Sequence, residues 1–397
     1  MATELAIDGG IPVRRSMLPY AHQTISAADV EAVVSVLQSP WLTTGPAVDA
    51  FESAFAARIN GKDAVAVSSG TAALHAAMHT LALRGGDEVI VPALTFVASA
   101  NAVVYVGARP VFADVDPETL LLDVESAERV ASARAKAVVS VDYAGQPCDY
   151  DLVREFTEDR GLDLVVDACH SLGAMWDGRP SSSFGRLSAF SFHPVKHITT
   201  GEGGMVAADS PNDAARLRAF RNHGIDKDSR AREHAGSWRY AMTDLGYNYR
   251  LSDLQCALGL AQLARLDEWL ERRRAIAALY VEGIASIPGV RLLAISPKAE
   301  HAWHLFVVQL ELERLRVDRN AVFEALRAEG IGVNVHYMPV HLQPYYQRRY
   351  DTRDGMCPVA EAAYERILSL PIFAGMTDSD VADVLTALTK VLDAYRR

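Results

Sequence analysis

Between residues 60 and 210, short apolar runs alternate with longer segments of helical periodicity. Most of the runs are apolar throughout and not only at every second residue, which indicates strands covered on both faces. These predicted strands lie at residues 64–67, 88–92, 110–115, 137–141, 162–168, 187–193 and 204–209. The helical segments lie at residues 71–84, 98–106 and 150–160, and each is followed by glycine, the usual residue beyond a last helical turn. This alternation predicts an α/β fold with a largely parallel sheet, whose ligands bind at the carboxyl ends of the strands.

The pattern changes in the second half of the chain. From residue 251 to about residue 284, leucines lie on one helical face and charges on the other, which predicts one long bridging helix. Beyond it the sequence predicts a strand at residues 303–312 and helices at residues 319–329 and 379–395. We therefore predict two domains, residues 1–260 and residues 261–397, of which the second is smaller and of the α+β type.

Composition and charge narrow the class of protein. Half of the 397 residues are hydrophobic and 22% are charged, which excludes disordered, collagen-like and disulfide-scaffold chains. The chain has 39 Lys and Arg against 50 Asp and Glu, a net charge of −11. Such an acidic chain is a poor non-specific partner for nucleic acid or for an anionic membrane.

The cysteines and the apolar stretches predict where in the cell the protein is found. Cys148, Cys169, Cys256 and Cys357 form no C-x-x-C pair, which favours reduced core thiols over disulfides or a zinc site. The most apolar stretch, residues 64–83, contains serine, threonine and histidine, so it is not a membrane span. The first residues lack the pattern of a secretory signal. We therefore expect a cytoplasmic protein that binds neither membrane nor nucleic acid.

The first candidate for chemistry is the segment SSGTAAL at residues 68–74, which follows a predicted strand and begins a helix. Gly70 permits a close approach of the backbone, and Thr71 with the free N–H groups of the first turn can hold a phosphate at the positive end of the helix dipole. The alternative is an ordinary helix N-cap, which the same residue types favour.

The second candidate is LVVDACHSLG at residues 164–173, which places Asp167 and His170 at the end of an apolar strand. An aspartate beside a heteroaromatic nitrogen keeps that nitrogen protonated, as an electron-accepting pyridine cofactor requires. The alternatives are that Asp167 caps the next helix and that His170 is a core residue.

The third candidate is FSFHPVKHITTGEGG at residues 190–204, in which Lys196 stands between a strand and a glycine-rich loop. A desolvated lysine has a lowered pKa, which suits Schiff-base chemistry. Ser191 is a candidate phosphate donor. His193 and His197 have the spacing of a metal pair, but the intervening proline and the lack of a nearby carboxylate lead us to predict no metal site.

A phosphate cradle, an aspartate and a lysine, in this order on an α/β frame, match the three attachments of pyridoxal 5′-phosphate. With the motifs SSGTAAL, VVDACHSLGA, SFHPVKHITTGEGG and LGYNYRLSDLQCALGLAQL, the chain resembles the DegT/DnrJ/EryC1/StrS family of sugar aminotransferases over nearly its whole length. The resemblance implies the fold type I, aspartate aminotransferase-like architecture, with a mostly parallel seven-stranded sheet in the large domain. It also implies a homodimer with shared active sites.

The resemblance assigns roles at the cofactor. It implies that Lys196 attaches the cofactor covalently, that Asp167 pairs with the pyridinium nitrogen and that His170 lies near the phenolic oxygen. Many relatives have glutamine at the position of His170. The resemblance also implies that Phe96 stacks on the cofactor ring. It implies that the phosphate is held by Gly70, Thr71 and Ser191 and by Asn248 of the neighbouring subunit.

Within the family, VDYAGQPCD and VNVHYMPVHLQPYY resemble the group that aminates the nucleotide sugar of the pseudaminic acid pathway, the UDP-4-amino-4,6-dideoxy-N-acetyl-β-L-altrosamine transaminases. The implied reaction moves an amino group from L-glutamate, or sometimes L-glutamine, to the C4 ketone of a UDP-4-keto-6-deoxy-N-acetylhexosamine. The implied sugar-binding residues come from three segments: Tyr20, Trp41, Leu42, Thr43, Asn334, Val335, His336 and Tyr337.

Several alternatives are weighed against this interpretation. A dTDP-4-keto-6-deoxy sugar is the alternative acceptor, and residues 333–337 are alternatively a strand whose side chains only fill the core. Related dehydratases have histidine at the position of Lys196, so that reaction is disfavoured. A non-catalytic regulator predicts a basic nucleic-acid module, which the sequence lacks. A Rossmann dehydrogenase requires G-x-G-x-x-G, and SSGTAAL does not contain it.

Overall fold

A seven-stranded sheet lies at the centre of the larger part of the molecule. The computed structural model describes residues 4–226, 232 and 236–397. The strand order is β1-β9-β8-β5-β4-β2-β3, and only β9 is antiparallel to its neighbours. The strands of this sheet are β1 (Asp63–Val67), β2 (Glu88–Pro92), β3 (Arg109–Ala113), β4 (Ala135–Val141), β5 (Asp163–Asp167), β8 (Leu187–Ser191) and β9 (Gly204–Ala208). The predicted mostly parallel sheet is therefore confirmed.

Helices cover the sheet, and this cover explains why its strands are apolar on both faces. Every residue of β2 and β9 is buried. The helices of this part are α1 (Ala27–Leu37), α2 (Pro46–Arg58), α3 (Gly70–Thr80), α4 (Val97–Tyr105), α5 (Val124–Val130), α6 (Tyr150–Arg160), α7 (Pro211–Phe220) and α8 (Asp253–Leu263). The helix predicted to end at residue 84 ends at Thr80, because Ala82 has a left-handed φ of 56°.

The predicted single helix over residues 251–284 is wrong. The chain instead forms α8 and a separate helix, α9 (Leu266–Ile284), with a break at residues 264–265. At the break Arg265 has φ −105° and ψ 4°, outside the helical region. The break lets α8 pack against α1 and α2 of the larger part, whereas α9 packs against the C-terminal helix. Leucine periodicity continues across the break because both helices bury a leucine face.

A second apolar core organises the smaller part of the molecule. Its antiparallel sheet has the order β10-β12-β13, and helices α9, α10 and α13 pack around this core. The elements of this region are β10 (Val290–Leu292), β12 (Phe306–Leu310), β13 (Ile367–Leu370), α10 (Arg319–Ala328), α11 (Pro344–Tyr350), α12 (Pro358–Tyr364) and α13 (Asp378–Tyr395). Leu5 and Leu18 of the N-terminal segment join the second core. The division near residue 260 stays a prediction.

The remaining elements are short. A small sheet of order β11-β6-β7 joins the two parts of the chain. Its strands are β6 (Met175–Trp176), β7 (Arg179–Pro180) and β11 (Ala299–Glu300). The 3₁₀ helices are Ala6–Asp8, Tyr143–Gly145, Ser181–Ser183, Leu312–Arg314 and Val340–Leu342. Within the described ranges, no helix has the length and hydrophobicity needed to cross a bilayer.

Candidate active site

A cavity of about 550 Å³ lies at the carboxyl ends of the parallel strands. One wall consists of strand and helix ends from the large sheet, and the opposite wall is the segment of residues 334–337 from the smaller part. The predicted site residues that line it are Gly70, Thr71, Phe96, Asp167, His170, Ser191, Lys196, Tyr20, Asn334, Val335, His336 and Tyr337. Residues that are far apart in the sequence therefore meet at one edge of the sheet, as the parallel topology requires.

The N-terminus of α3 forms one end of the cavity. Ser69 is its N-cap, and the Ser69 hydroxyl accepts a hydrogen bond of 3.0 Å from the Ala72 N–H. A Cβ atom on Gly70 would lie 2.8 Å from Cβ of Ser191, closer than two carbon atoms can approach. Glycine is therefore required for the helix end and β8 to lie this close. The first-turn N–H groups and the Ser191 hydroxyl make this end suitable for a phosphate group.

Asp167 ends β5 at the floor of the cavity and is 6% exposed. One carboxylate oxygen accepts 2.7 Å from the Ser99 hydroxyl, and the other accepts 3.2 Å from the Cys169 N–H. Ser99 in turn shares a hydrogen bond of 2.7 Å with Thr95. These contacts fix a buried carboxylate that can hold a protonated ring nitrogen.

Lys196 follows β8, and its side chain enters the cavity from the turn beyond that strand. Its Nζ atom lies 3.3 Å from Nε2 of His304. Burial lowers the pKa of Lys196, an effect that the carboxylate of Asp167 partly opposes. The amine is therefore more easily obtained in its uncharged, nucleophilic form.

The two histidines that flank Lys196 have different environments. His193 is exposed at the mouth of the cavity. His197 is buried, and its Nε2–H donates 3.0 Å to the carbonyl oxygen of Ala302.

The opposite wall is aromatic. The Tyr337 hydroxyl lies 3.1 Å from Nε2 of His170, and its ring centroid lies 5.8 Å from that of Phe96. His336 is held by a hydrogen bond of 2.8 Å between its Nδ1 atom and the Ser369 hydroxyl, and its ring lies 5.6 Å from that of Tyr20. Burial lowers the pKa of His336 to about 3, so this wall is uncharged at neutral pH.

The backbone pairing of residues 333–337 is not that of a core strand, the alternative interpretation of this segment. Only Asn334 pairs, through a single bridge to Ser369, and no strand forms over the segment. Four of its residues, numbers 334–337, line the cavity. The segment therefore faces the site and not only the core.

Four predicted residues do not line this cavity. Trp41 and Leu42 are exposed, and Thr43 lines a separate cavity of about 560 Å³ together with Asn222. Asn248 forms a β-bridge with the same Asn222. We call Trp41, Leu42, Thr43 and Asn248 the outer cluster. Their roles stay predictions.

Sequence reasoning missed three residues of the site. Thr95 and Ser99 support Asp167, and a hydroxyl pair four residues apart just beyond the end of β2 was a usable signal. His304 contacts Lys196, but it lies before β12 in an otherwise apolar run without a motif. Only the three-dimensional structure brings it to the lysine.

Comparisons with known proteins identify an aminotransferase family that matches most of the chain. A model of the DegT/DnrJ/EryC1/StrS aminotransferase family matches residues 23–389. The spore coat polysaccharide biosynthesis protein SpsC of Bacillus subtilis is 40% identical over 381 residues, which cover 96% of this chain and 98% of that protein.

Solved structures match the fold equally well. The putative sugar aminotransferase Spr1654 of Streptococcus pneumoniae, in its PMP form, superimposes with a TM-score of 0.90 and 30% identity over 95% of this chain and 99% of that one. Its PLP form gives a TM-score of 0.89. PseC of Helicobacter pylori, an aminotransferase of pseudaminic acid biosynthesis, gives a TM-score of 0.90 and 28% identity over 96% of this chain and 100% of that one.

Fold and site together define the class: an aminotransferase of fold type I that depends on pyridoxal 5′-phosphate. The chain belongs to the DegT/DnrJ/EryC1/StrS aminotransferase family, and its activity is that of a sugar aminotransferase. The cavity fits the cofactor because it combines a glycine-lined helix end, a fixed buried carboxylate and a half-buried lysine.

Proposed function

We propose that the protein moves an amino group from L-glutamate to the C4 ketone of a UDP-4-keto-6-deoxy-N-acetylhexosamine in biosynthesis of the pseudaminic acid type. The observation that carries this proposal is the cavity, where Lys196 and Asp167 lie opposite an uncharged aromatic wall. The likeness to PseC supports the choice of sugar.

In the proposed site each cofactor contact has one role. The first turn of α3, with Thr71, and the Ser191 hydroxyl bind the phosphate. The carboxylate of Asp167 would keep the ring nitrogen protonated, and the Phe96 side chain would contact the ring. When bound, the cofactor supplies an electron sink for the carbanion that forms at the substrate carbon.

Lys196 moves the proton in the proposed mechanism. Its uncharged amine takes a proton from Cα of the amino acid, and in the second half of the reaction its ammonium form gives a proton to C4 of the sugar. Burial favours the uncharged amine, because it lowers the pKa of Lys196. His170, whose Nε2 atom lies 3.1 Å from the Tyr337 hydroxyl, would be a neutral hydrogen-bonding partner for the cofactor.

The acceptor sugar lies against the second wall in this proposal. Tyr20 and Tyr337 present aromatic faces to a sugar or a uracil ring and hydroxyl groups to its polar atoms. Asn334 and His336 offer hydrogen bonds to the sugar, and Val335 adds apolar contact.

We further propose a homodimer in which the outer cluster completes the partner's site. Asn248 and Thr43 both lie beside Asn222, so one face of the molecule presents the cluster together. Trp41 and Leu42 on this face are 37% and 48% exposed, which is typical of a surface that becomes covered in an oligomer. In the dimer Asn248 reaches the partner's cofactor phosphate, and Trp41, Leu42 and Thr43 reach the partner's nucleotide sugar.

The acceptor is tested by steady-state assays with L-glutamate or L-glutamine as donor. UDP-4-keto-6-deoxy-N-acetyl sugars of the L-arabino and D-xylo configurations are compared with dTDP-4-keto-6-deoxyglucose. We expect the highest kcat/KM for the L-arabino ketone with L-glutamate. A higher kcat/KM for the dTDP sugar would refute the proposed acceptor and leave the aminotransferase class unchanged.

We also propose that the enzyme works in the cytoplasm, where its four free thiols remain reduced. Fractionation of the source cells tests this location. Recovery of the protein in an extracytoplasmic fraction would contradict it.

A further inference from the structure

His304 is buried directly beside the amine of Lys196. The residue is 3% exposed and lies just before β12, and its Nε2 atom is 3.3 Å from Nζ of Lys196. Two further histidines enclose it, with ring centroids 4.4 Å away for His170 and 5.6 Å away for His197. The proposed mechanism does not use this ring.

The surroundings of Nδ1 of His304 indicate which atom is the donor in the hydrogen bond between its Nε2 atom and Nζ of Lys196. Within the described part of the chain, its buried Nδ1 atom has no hydrogen-bond partner. A neutral imidazole carries one hydrogen, on either nitrogen, and a buried N–H without a partner is rarer than a bare acceptor. The hydrogen therefore belongs on Nε2, which faces Lys196. A lysine nitrogen can accept a hydrogen bond only as the uncharged amine.

The surroundings of His304 keep its ring neutral and fixed. Burial holds the pKa of His304 well below its usual range. The buried guanidinium of Arg273 in α9 donates 2.9 Å to the carbonyl oxygen of Trp303 and 3.1 Å to that of Ile372, which anchors the backbone on either side of the site. The same cation disfavours an imidazolium at His304.

The other titratable groups around Lys196 are of three kinds. Burial lowers the pKa values of the neighbouring histidines, His170, His197 and His336, so all three are neutral. Burial raises the pKa values of Cys169 and Tyr337, so both are protonated. The carboxylate of Asp167 favours the ammonium form of Lys196, and Glu202 and His193 lie at the solvent-exposed mouth. A donor aimed at the amine offsets the effect of Asp167.

We infer that His304 is a positioning residue for Lys196: its Nε2–H donates a hydrogen bond to the lysine amine and so holds that amine uncharged and directed into the cavity. The inference rests on the proposed role of Lys196 and adds a residue that acts through it. A donor to the uncharged form lowers the pKa of the amine, whereas an acceptor would raise it. The direction in which the pKa of Lys196 changes when His304 is replaced therefore shows whether His304 is the donor or the acceptor.

Competitive acetylation measures this pKa directly. The full-length enzyme is converted to the pyridoxamine phosphate form, which leaves the lysine amine free, and is labelled with trace acetic anhydride between about pH 6 and pH 10, across the range of lowered and ordinary lysine pKa values. Peptide mass spectrometry reports the labelling of Lys196, with the exposed Lys136 as internal reference. His304→Phe keeps a buried ring without a donor, and His304→Gln restores an N–H donor.

We expect His304→Phe to move the Lys196 labelling curve to higher pH by about one unit, a tenfold decrease in the ratio of amine to ammonium at a given pH. We expect His304→Gln to keep the wild-type curve. The matched control is His301→Gln, because His301 stacks on Trp303 in the same segment and should not move the curve. If His304→Phe does not fold, His304→Leu serves as the donor-free variant.

A labelling curve that stays in place or moves to lower pH in the donor-free variant would overturn the inference. The proposed role of Lys196 fails separately, through full turnover of Lys196→Ala, which the labelling curve does not influence. The two failures are therefore distinguishable.

Discussion

The two sets of predicted site residues differ in how the fold holds them. Gly70, Asp167, Ser191 and Lys196, which we call the strand-end wall, lie at or just beyond the ends of strands and helices of the large sheet. The outer cluster lies on surface segments, and its two large apolar residues, Trp41 and Leu42, are exposed. The strand-end wall lies within the cavity of one chain, whereas the proposed role of the outer cluster requires a second chain.

This difference separates cofactor chemistry from recognition. Side chains at the ends of packed strands are fixed by the core beneath them, as acid–base and covalent chemistry requires. Loops on a rigid scaffold vary more easily and commonly carry specificity. Substitutions in the strand-end wall should therefore act on turnover, and substitutions in the outer cluster should act on binding and should be sensitive to the partner subunit.

The largest effect is expected for Lys196→Ala, which removes the covalent and the proton-transfer group together. We expect turnover to fall by a factor on the order of 10³ or more, with an unchanged circular dichroism spectrum. The measurement is steady-state amination of the keto sugar. The exposed Lys298, which pairs with Asp151, provides the control variant Lys298→Ala. Near-normal turnover in Lys196→Ala would remove this residue from the mechanism.

The next effect is expected for Asp167→Asn, which keeps the shape and removes the charge that holds the ring nitrogen protonated. A hydrogen bond to a charged group contributes about 1.5–3 kcal/mol, so kcat should fall by roughly tenfold to a hundredfold. Asp163→Asn, at the opposite end of β5, is the matched control and should keep kcat. Equal activity of the two variants would contradict the role of Asp167.

The outer cluster is tested with Asn248→Ala. We expect an about tenfold weaker affinity for the cofactor, the loss of one hydrogen bond of roughly 1.5 kcal/mol, measured by fluorescence titration of the apoenzyme. At a cofactor concentration too low to saturate this variant, mixing it with Lys196→Ala should raise activity above that of either parent, because one site of each heterodimer carries neither change. Lack of rescue after proven subunit exchange would show that the outer cluster does not serve the partner.

The smallest effect is expected for Tyr337→Phe, which removes the hydroxyl 3.1 Å from Nε2 of His170. One neutral hydrogen bond contributes about 1 kcal/mol, so kcat/KM should fall about fivefold. The exposed Tyr345 gives the control variant Tyr345→Phe, which should be silent. A loss as large as that in Asp167→Asn would mean that Tyr337 takes part in the chemistry and not only in positioning.

The sequence predicts the strand-end wall because local patterns carry it. Asp167 and Lys196 each follow an apolar run, and Gly70 follows another and begins a helix, so strand ends and site residues are found together. Because parallel strands end at the same edge of a sheet, the predicted parallel sheet is enough to place these residues together.

Other features depend on contacts that no local pattern records. The break at residues 264–265 is set by the different layers on which α8 and α9 pack, so an unbroken leucine pattern hides it. His304 reaches Lys196 from 108 residues away along the chain, and its segment is typical of a core strand. The outer cluster lies outside the cavity that contains Lys196, and no local pattern records the role that we propose for it in a partner's site.

The most direct test of the account is to find where the cofactor is attached. Reduction of the holoenzyme with borohydride, followed by peptide mass spectrometry, identifies the lysine that becomes permanently linked to the cofactor. The account predicts a single modified peptide, with the added mass on Lys196, and loss of the cofactor absorption band. A modification on any other lysine, or a cofactor that dialyses away after reduction, would contradict it.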